Sequence, residues 1–208
     1  MIHSEGNRGE TMADLIRLAE RMALILMSGY VVWQWLPQFG PHPQVILVLA
    51  SELVAVFFLL IQRKGSWSTS AYTTLIAFGG TAASLCVMPG GTALAPDYIT
   101  APLITLGTAI ALAAKLSLRR SFGLVPANRG VKVSGAYRFV RHPMYSGYVL
   151  NHIGIMLLAF SAWNVAVYMT CWALLYLRVI EEERFLMGDQ QYVDYAKTVR
   201  SRLIPGLI

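Results

Sequence analysis

The chain has 208 residues, of which 56% are hydrophobic and 13% are charged, and its formal net charge is +6. Because soluble domains have about 25% charged residues, this composition excludes an ordinary soluble domain and indicates a protein embedded in a membrane. The basic excess is not gathered on one face of a soluble module, which excludes a typical nucleic-acid footprint, so no nucleic-acid partner is expected. Cys86 and Cys171 each lie in an apolar run without a partner at metal-ligand spacing, so we predict packing roles for both and no metal site.

Six apolar segments follow one another along the chain, at about 22–36, 44–61, 71–88, 99–118, 145–161 and 163–180. Each is near the roughly 17–25 residues that a helix needs to cross a bilayer. The last two form one run that is too long for a single span, so a break at 161–164 predicts a tight helical hairpin. The sequence therefore predicts an all-α integral membrane protein with about six transmembrane helices.

The lysines and arginines predict how these spans are oriented. All 17 fall at the N-terminus, in or beside the second and fourth loops, or at the C-terminal tail, and the other three loops contain none. Because basic residues concentrate on the cytosolic side of membrane proteins, we expect both termini to be cytosolic, in an inner or plasma membrane. The basic side would then face anionic membrane lipids. No cleavage site follows the first apolar run, so no removable signal is predicted.

The one sizeable polar insert between spans, 119–143, divides the chain. We expect residues 1–118 to hold the first four helices and residues 119–208 to hold a ligand-binding loop, the hairpin and the tail, within one structural unit. Inside the spans, Glu52, Asn151 and His152 are candidates for function because a buried ionisable or polar group is costly. Hydrogen bonding between packed helices is the favoured interpretation for Glu52 and His152 and also accounts for Asn151.

The polar insert leads into the stretch GAYRFVRHPMYSGYVL, residues 135–150. Pro143 suits the first turn of a helix, so the fifth helix should begin there, with its positive end at the loop. That end attracts a carboxylate or phosphate, and the rings of Tyr145 and Tyr148 offer faces for a sulfonium or ammonium cation. Gly147 permits close approach of a ligand or of a neighbouring helix. The alternative is an aromatic belt whose arginines meet lipid headgroups.

A second polar stretch, LRVIEEERFL, residues 177–186, closes the sixth span. Three glutamates at the negative end of a helix require cationic compensation, and Arg178 and Glu182 are neighbours on one helical face. The entrance of span five and the exit of span six are the two ends of one hairpin. The two motifs should therefore lie side by side and form a single site.

Together these motifs resemble the isoprenylcysteine carboxyl methyltransferases and the related phospholipid N-methyltransferases. The loop is similar to the family signature G-x-Y…R-H-P-x-Y-x-G, and Arg178, Glu182 and Glu183 match R-x-x-x-E-E. The tail resembles the family's C-terminal pattern, although its spacer LMGDQQY is shorter than in many relatives. The resemblance covers about residues 119–205.

The resemblance implies an integral membrane methyltransferase that uses S-adenosylmethionine, with a cytosolic cofactor pocket formed by the loop before the fifth helix and the C-terminal tail. Matched position by position, Glu182 would hold a polar group of the cofactor, and Arg178 would be the catalytic residue that meets the substrate. The other implied cofactor-binding residues are Arg129, Gly130, Val131, Lys132, Tyr137, His142, Pro143, Met144 and Tyr145.

The implied acceptor is a lipophilic small molecule or a prenylated compound. Arg178 favours carboxyl O-methylation of an isoprenylcysteine-like acceptor, because a guanidinium orients a carboxylate through two parallel hydrogen bonds. Methylation of a phospholipid or small amine is the alternative activity, and a membrane sterol reductase is a more distant one. A non-catalytic transporter or scaffold is an alternative of another class, in which Glu52, Asn151 and His152 line a polar path.

Overall fold

A computed structural model describes residues 2–63, 65–67 and 70–207, with all side chains in these ranges except those of residues 2–14, 16, 17 and 67. Within this part the chain is mainly helical. The α-helices are α1 (Ile2–Trp35), α2 (Val45–Leu60), α3 (Ala71–Ser84), α4 (Asp97–Leu118), α5 (Pro143–Leu158), α6 (Ala162–Leu186) and α7 (Gln190–Thr198). Short 3-10 helices occupy Leu36–Gln38, Arg119–Ser121 and Gly135–Arg138. The strands β1 (Ser66–Trp67) and β2 (Ala127–Asn128) pair antiparallel, with Ser66 opposite Asn128.

Helices α1 to α6 follow the six apolar segments, which confirms a helical protein. Among the described residues, two helices are long and apolar enough to cross a membrane by length and composition, Asp97–Ser121 and Ala162–Leu186, and Val45–Leu60 is a shorter apolar helix. The count of six spans and their orientation stay predictions. The orientation rests partly on the side chains of Arg8 and Arg17 and on Lys64, which lie outside the described part of the chain.

Small residues bring α4 and α5 into the closest helix contact of the fold. A Cβ atom on Gly107 would lie 2.5 Å from the Asn151 nitrogen, and one on Gly147 would lie 2.5 Å from the Gly107 oxygen. Real side chains do not tolerate such distances, so only glycine allows the two backbones to approach this far. Of the two uses that the sequence allows for Gly147, the structure shows close approach to a neighbouring helix.

The predicted hairpin between α5 and α6 is present, but its arms are not tightly paired. Its turn is short, because Ser161 caps α6 by accepting a hydrogen bond from the Asn164 nitrogen at 3.0 Å. Beyond the turn, α5 packs mainly along α4 and α6 mainly along α3, with far less contact between the two arms. The expectation of a tight hairpin is thus wrong away from the turn, since each arm has a better-fitting partner helix. Space remains between the arms.

The C-terminal tail folds back over the loop that precedes α5. The Tyr195 hydroxyl donates to the Tyr137 carbonyl at 2.6 Å. Farther along, the backbone nitrogens of Arg141 and His142 donate to the carbonyls of Ser201 and Arg202 at 3.0 and 2.9 Å. These contacts hold the loop, the start of α5 and the tail in one fixed arrangement around the end of α6.

Candidate functional site

The three glutamates near the end of α6 each have cationic partners, as the sequence predicts. Glu181 pairs with Arg184 one turn later. Glu182 accepts a hydrogen bond from Arg178 Nε at 3.0 Å. Glu183 pairs with residues that are distant in sequence. The triplet is therefore compensated at the negative end of the helix, and its members point in different directions with different tasks.

Glu183 ties the loop and the tail to α6. Its Oε1 accepts from Arg141 Nε at 2.7 Å and lies 3.1 Å from His142 Nε2, and its Oε2 accepts from Arg202 Nε at 2.8 Å. The carboxylate is buried. Because a buried charge is strongly destabilising once its partners are removed, this cluster fixes the geometry of the site. His142 therefore belongs to the Glu183 cluster, and its ring also stacks on the Tyr145 ring, with 5.7 Å between the two centroids.

Glu182 connects the start of α5 to the end of α6. The Tyr145 hydroxyl donates to Glu182 Oε1 at 2.5 Å, so the two motifs meet as predicted. Arg178 donates through Nη2 to the Leu124 carbonyl at 2.6 Å, and its guanidinium carbon lies 5.4 Å from the centre of the Tyr145 ring. The carboxylate, the phenol and the guanidinium are therefore held as one fixed group.

A cavity of about 120 Å³, which we call the loop cavity, lies between the loop before α5, the end of α6 and α7. Of the residues that the sequence assigns to a cofactor, Pro143 does not line it, because this residue is buried in the first turn of α5. The others all line it: Arg129, Gly130, Val131, Lys132, Tyr137, His142, Met144, Tyr145 and Glu182.

Tyrosines of the loop and of α7 supply polar groups to the loop cavity. Burial, with the nearby Glu182 carboxylate, raises the pKa of Tyr137 well above its usual range. Burial likewise raises the pKa of Tyr195 to about 12 and raises that of Tyr192. All three phenols are therefore protonated at neutral pH. Tyr192 Oη is buried without a hydrogen-bond partner among the described residues, which leaves a polar group open to a ligand.

Arg129 lines the loop cavity, but its guanidinium is directed towards α1. Its Nη2 lies 3.9 Å from Glu20 Oε2, and both side chains are buried. Glu20 also accepts from the backbone nitrogens of Leu124 and Val125, the latter at 2.9 Å. This contact fixes the loop from the side of α1.

A second, larger cavity of about 190 Å³, the central cavity, is enclosed by α1 to α6. It runs from Trp35 and Val45 at one end to Arg178 at the other, and its walls are mostly apolar. The two cavities share Gly123, Met144 and Tyr145 as lining residues. Arg178 lines the central cavity and Glu182 the loop cavity, so this ion pair stands where the two cavities meet.

Sequence reasoning missed several residues that build the site. Glu20, Arg141, Arg202 and Glu183 bond across separations of 19 to 105 residues, which no local pattern reveals. Tyr192 and Tyr195 had a detectable signal, because the tail motif places them one helical turn apart in α7.

Comparison with known proteins finds similarity over part of the chain. The pattern of the isoprenylcysteine carboxyl methyltransferase family matches residues 97–188, which include α4, the loop, α5 and α6. Protein-S-isoprenylcysteine O-methyltransferase A of Arabidopsis thaliana is 32% identical over 107 residues, which cover 48% of this chain and 54% of the relative. The chain thus spans about half the length of the curated relative that it matches. Over residues 97–188 the chain is therefore similar to the isoprenylcysteine carboxyl methyltransferase family.

Proposed function

We propose that this protein is an S-adenosylmethionine-dependent methyltransferase that methylates the carboxylate of a lipophilic, isoprenylcysteine-like acceptor at the cytosolic face of the membrane. The observation that carries the proposal is the junction of the two cavities at Tyr145. The loop cavity and the larger, mostly apolar central cavity meet there, with the Glu182 carboxylate on the side of the loop cavity and the Arg178 guanidinium on the side of the central cavity. A water-soluble donor and a lipid-soluble acceptor require such a junction.

The loop cavity fits S-adenosylmethionine. Glu182 lines this cavity and provides a negative charge for a sulfonium or ammonium cation. The unpaired Tyr192 hydroxyl offers a hydrogen bond to a polar group. Among the described residues no side chain caps the N-terminus of α5, and the positive end of this helix favours a carboxylate of the cofactor nearby.

The central cavity suits the acceptor. Its apolar walls match a hydrocarbon chain, and Arg178 at its end matches a carboxylate. Among the described residues, the bonds from Arg178 to Glu182 and Leu124 use Nε and one hydrogen of Nη2, which leaves Nη1 and the second hydrogen of Nη2 for the acceptor. An amine acceptor would have less use for a guanidinium here, which is why we favour a carboxylate over a phospholipid or small-amine acceptor.

Bound S-adenosylmethionine supplies a methyl group on positive sulfur: an acceptor oxygen bonds to the methyl carbon as the carbon–sulfur bond breaks, leaving a methyl ester and a neutral thioether. An ionised carboxylate loses no proton in this reaction, so the chain needs no general base. Its task is to hold both partners in line and exclude water, which contributes about 7–11 kcal/mol in well-oriented reactions. Arg178 orients the acceptor, while the Glu183 cluster keeps the loop and the tail in place.

In this proposal, residues 119–208 hold the donor, and helices from residues 1–118 wall much of the acceptor cavity. The acceptor enters from the bilayer, and the donor enters from the cytosol, on the side of both termini.

The proposal is tested on detergent-purified protein in two steps. S-adenosylmethionine should raise the melting temperature, because a ligand that binds only the folded state stabilises it. Labelled methyl should then pass to N-acetyl-S-farnesylcysteine in preference to an amine-headed lipid of equal chain length. A protein indifferent to the donor would contradict the enzyme, and methylation of the amine lipid alone would contradict the carboxylate acceptor.

A further inference from the structure

The central cavity is interrupted midway by a polar belt, which we define as Glu52, Asn151 and His152. Glu52 comes from α2 and the other two from α5, and all three line the cavity. A cavity meant only for hydrocarbon gains nothing from such groups, because unpaired polar groups in an apolar site are costly. The polar belt therefore indicates the chemical class of the acceptor that the central cavity binds.

His152 presents a hydrogen-bond donor. Trp172 Nε1 donates to His152 Nδ1 at 3.3 Å. An indole nitrogen can only donate, so Nδ1 is the unprotonated nitrogen of a neutral ring and Nε2 carries the proton. The ring is stacked between Tyr148 and Tyr168, at 6.4 and 4.7 Å between centroids. Within the described part of the chain, the Nε2–H has no hydrogen-bond partner.

Asn151 presents the complementary acceptor. Its Nδ2 donates to Thr108 Oγ1 at 3.1 Å, which fixes the amide against α4. Its Oδ1 is buried and accepts no hydrogen bond from any described residue. A buried acceptor without a partner destabilises the folded protein unless a ligand pairs with it. A donor on one residue and an acceptor on the next match a hydroxyl group, which both donates and accepts.

The charges of the belt are balanced, so the matching group is uncharged. Lys115 is fully buried, and its Nζ lies 3.9 Å from Glu52 Oε1. It also donates to the carbonyl and hydroxyl oxygens of Ser51 at 3.1 and 2.9 Å. Ser28 donates to Glu52 Oε2 at 3.3 Å. One carboxylate facing one ammonium leaves no net charge for an ionic ligand.

We propose that the acceptor is a hydroxylated lipid, with one hydroxyl bound by Asn151 and His152. Both residues follow Tyr145 by about two helical turns, which places the hydroxyl roughly 10 Å from the methylated atom at about 1.5 Å of rise per residue. The inference rests on the proposed function and narrows its substrate class. An unmodified polyprenyl chain has no polar group at this point and would leave the hydrogen-bonding groups of Asn151 and His152 unpaired.

The test compares S-alkylated N-acetylcysteines that differ only in one hydroxyl: absent, placed about 10 Å from the carboxylate, or placed at the far end of the chain. KM is measured from transfer of labelled methyl. We expect a KM roughly tenfold lower for the acceptor with the midway hydroxyl, because two net hydrogen bonds contribute about 1–3 kcal/mol. Asn151→Leu and His152→Phe should each reduce this preference about threefold or more.

Ile155→Val is the matched control, since it alters an apolar lining residue of the same cavity. The preference ratio should survive this change. Equal KM values across the series would refute the inference without refuting methyl transfer. A preference for the midway hydroxyl that both Asn151→Leu and His152→Phe retain would have the same meaning. Donor binding without methylation of the midway-hydroxyl acceptor would also refute it. Absence of both donor binding and transfer would refute the proposed function, and the inference with it.

Discussion

Replacing Arg178 separates acceptor positioning from donor binding. The residue lines the central cavity and not the loop cavity. In the proposed complex, it holds the acceptor carboxylate through Nη1 and the second hydrogen of Nη2, while Glu182 and Leu124 fix the guanidinium. Arg178→Ala should therefore remove turnover while S-adenosylmethionine still binds.

The size of the effect follows from the bonds that are lost. Two hydrogen bonds to a charged group contribute about 1.5–3 kcal/mol each, so their loss costs about 3–6 kcal/mol of transition-state binding. That corresponds to a fall in kcat/KM of about two to four orders of magnitude. Glu182 keeps its bond from Tyr145, so the loss of stability should be smaller than for breaking a fully enclosed pair.

The assay measures methyl transfer from labelled donor to N-acetyl-S-farnesylcysteine, beside the rise in melting temperature caused by the donor. Arg178→Lys is the matched control, because it keeps a positive charge beside Glu182 but lacks the planar fork that binds a carboxylate through two bonds. It should retain stability better than Arg178→Ala and still lose most of its turnover. Full activity in either variant would refute the positioning role.

Three further variants test the remaining parts of the site. Glu182→Gln should abolish stabilisation by S-adenosylmethionine in a melting assay while the protein still inserts into membranes; unchanged affinity would exclude Glu182 from the donor site. Glu183→Gln should lower the free energy of unfolding by about 3–5 kcal/mol, measured in denaturant, because Arg141 and Arg202 lose their buried partner. Tyr192→Phe should weaken donor binding about threefold to tenfold without loss of stability, since the hydroxyl has no partner among the described residues; reduced stability with unchanged donor affinity would assign Tyr192 to packing.

The meeting of the two motifs could be predicted from the sequence. The break near residue 161 places the start of α5 and the end of α6 at the same end of the helices, and Tyr145 and Glu182 meet there although the two arms are not paired along their length. The i,i+4 spacing of Arg178 and Glu182 likewise follows from helix geometry alone. The resemblance to a known family supplied the roles, and these stay predictions.

The long-range ion pairs and hydrogen bonds that hold the site together could not be predicted from the sequence. Glu20 accepts hydrogen bonds from loop residues more than a hundred positions away in the sequence. Glu183 bonds to Arg141, which precedes the hairpin, and to Arg202, which follows it. Such pairs depend on how helices and loops are placed in space, which local patterns do not encode. The apolar runs likewise located α5 and α6, but α6 continues to Leu186, beyond the predicted end at residue 180, and their preference for α4 and α3 over each other was not predicted. The central cavity results from that preference.

Photo-cross-linking with an azido analogue of S-adenosylmethionine tests the central claim most directly, namely that a methyl donor binds between the start of α5 and the end of α6. After irradiation and proteolysis, the label should fall within residues 129–145 and 182–195, and excess unlabelled S-adenosylmethionine should displace it. Label confined to other segments, or label that the unmodified donor fails to displace, would contradict the account.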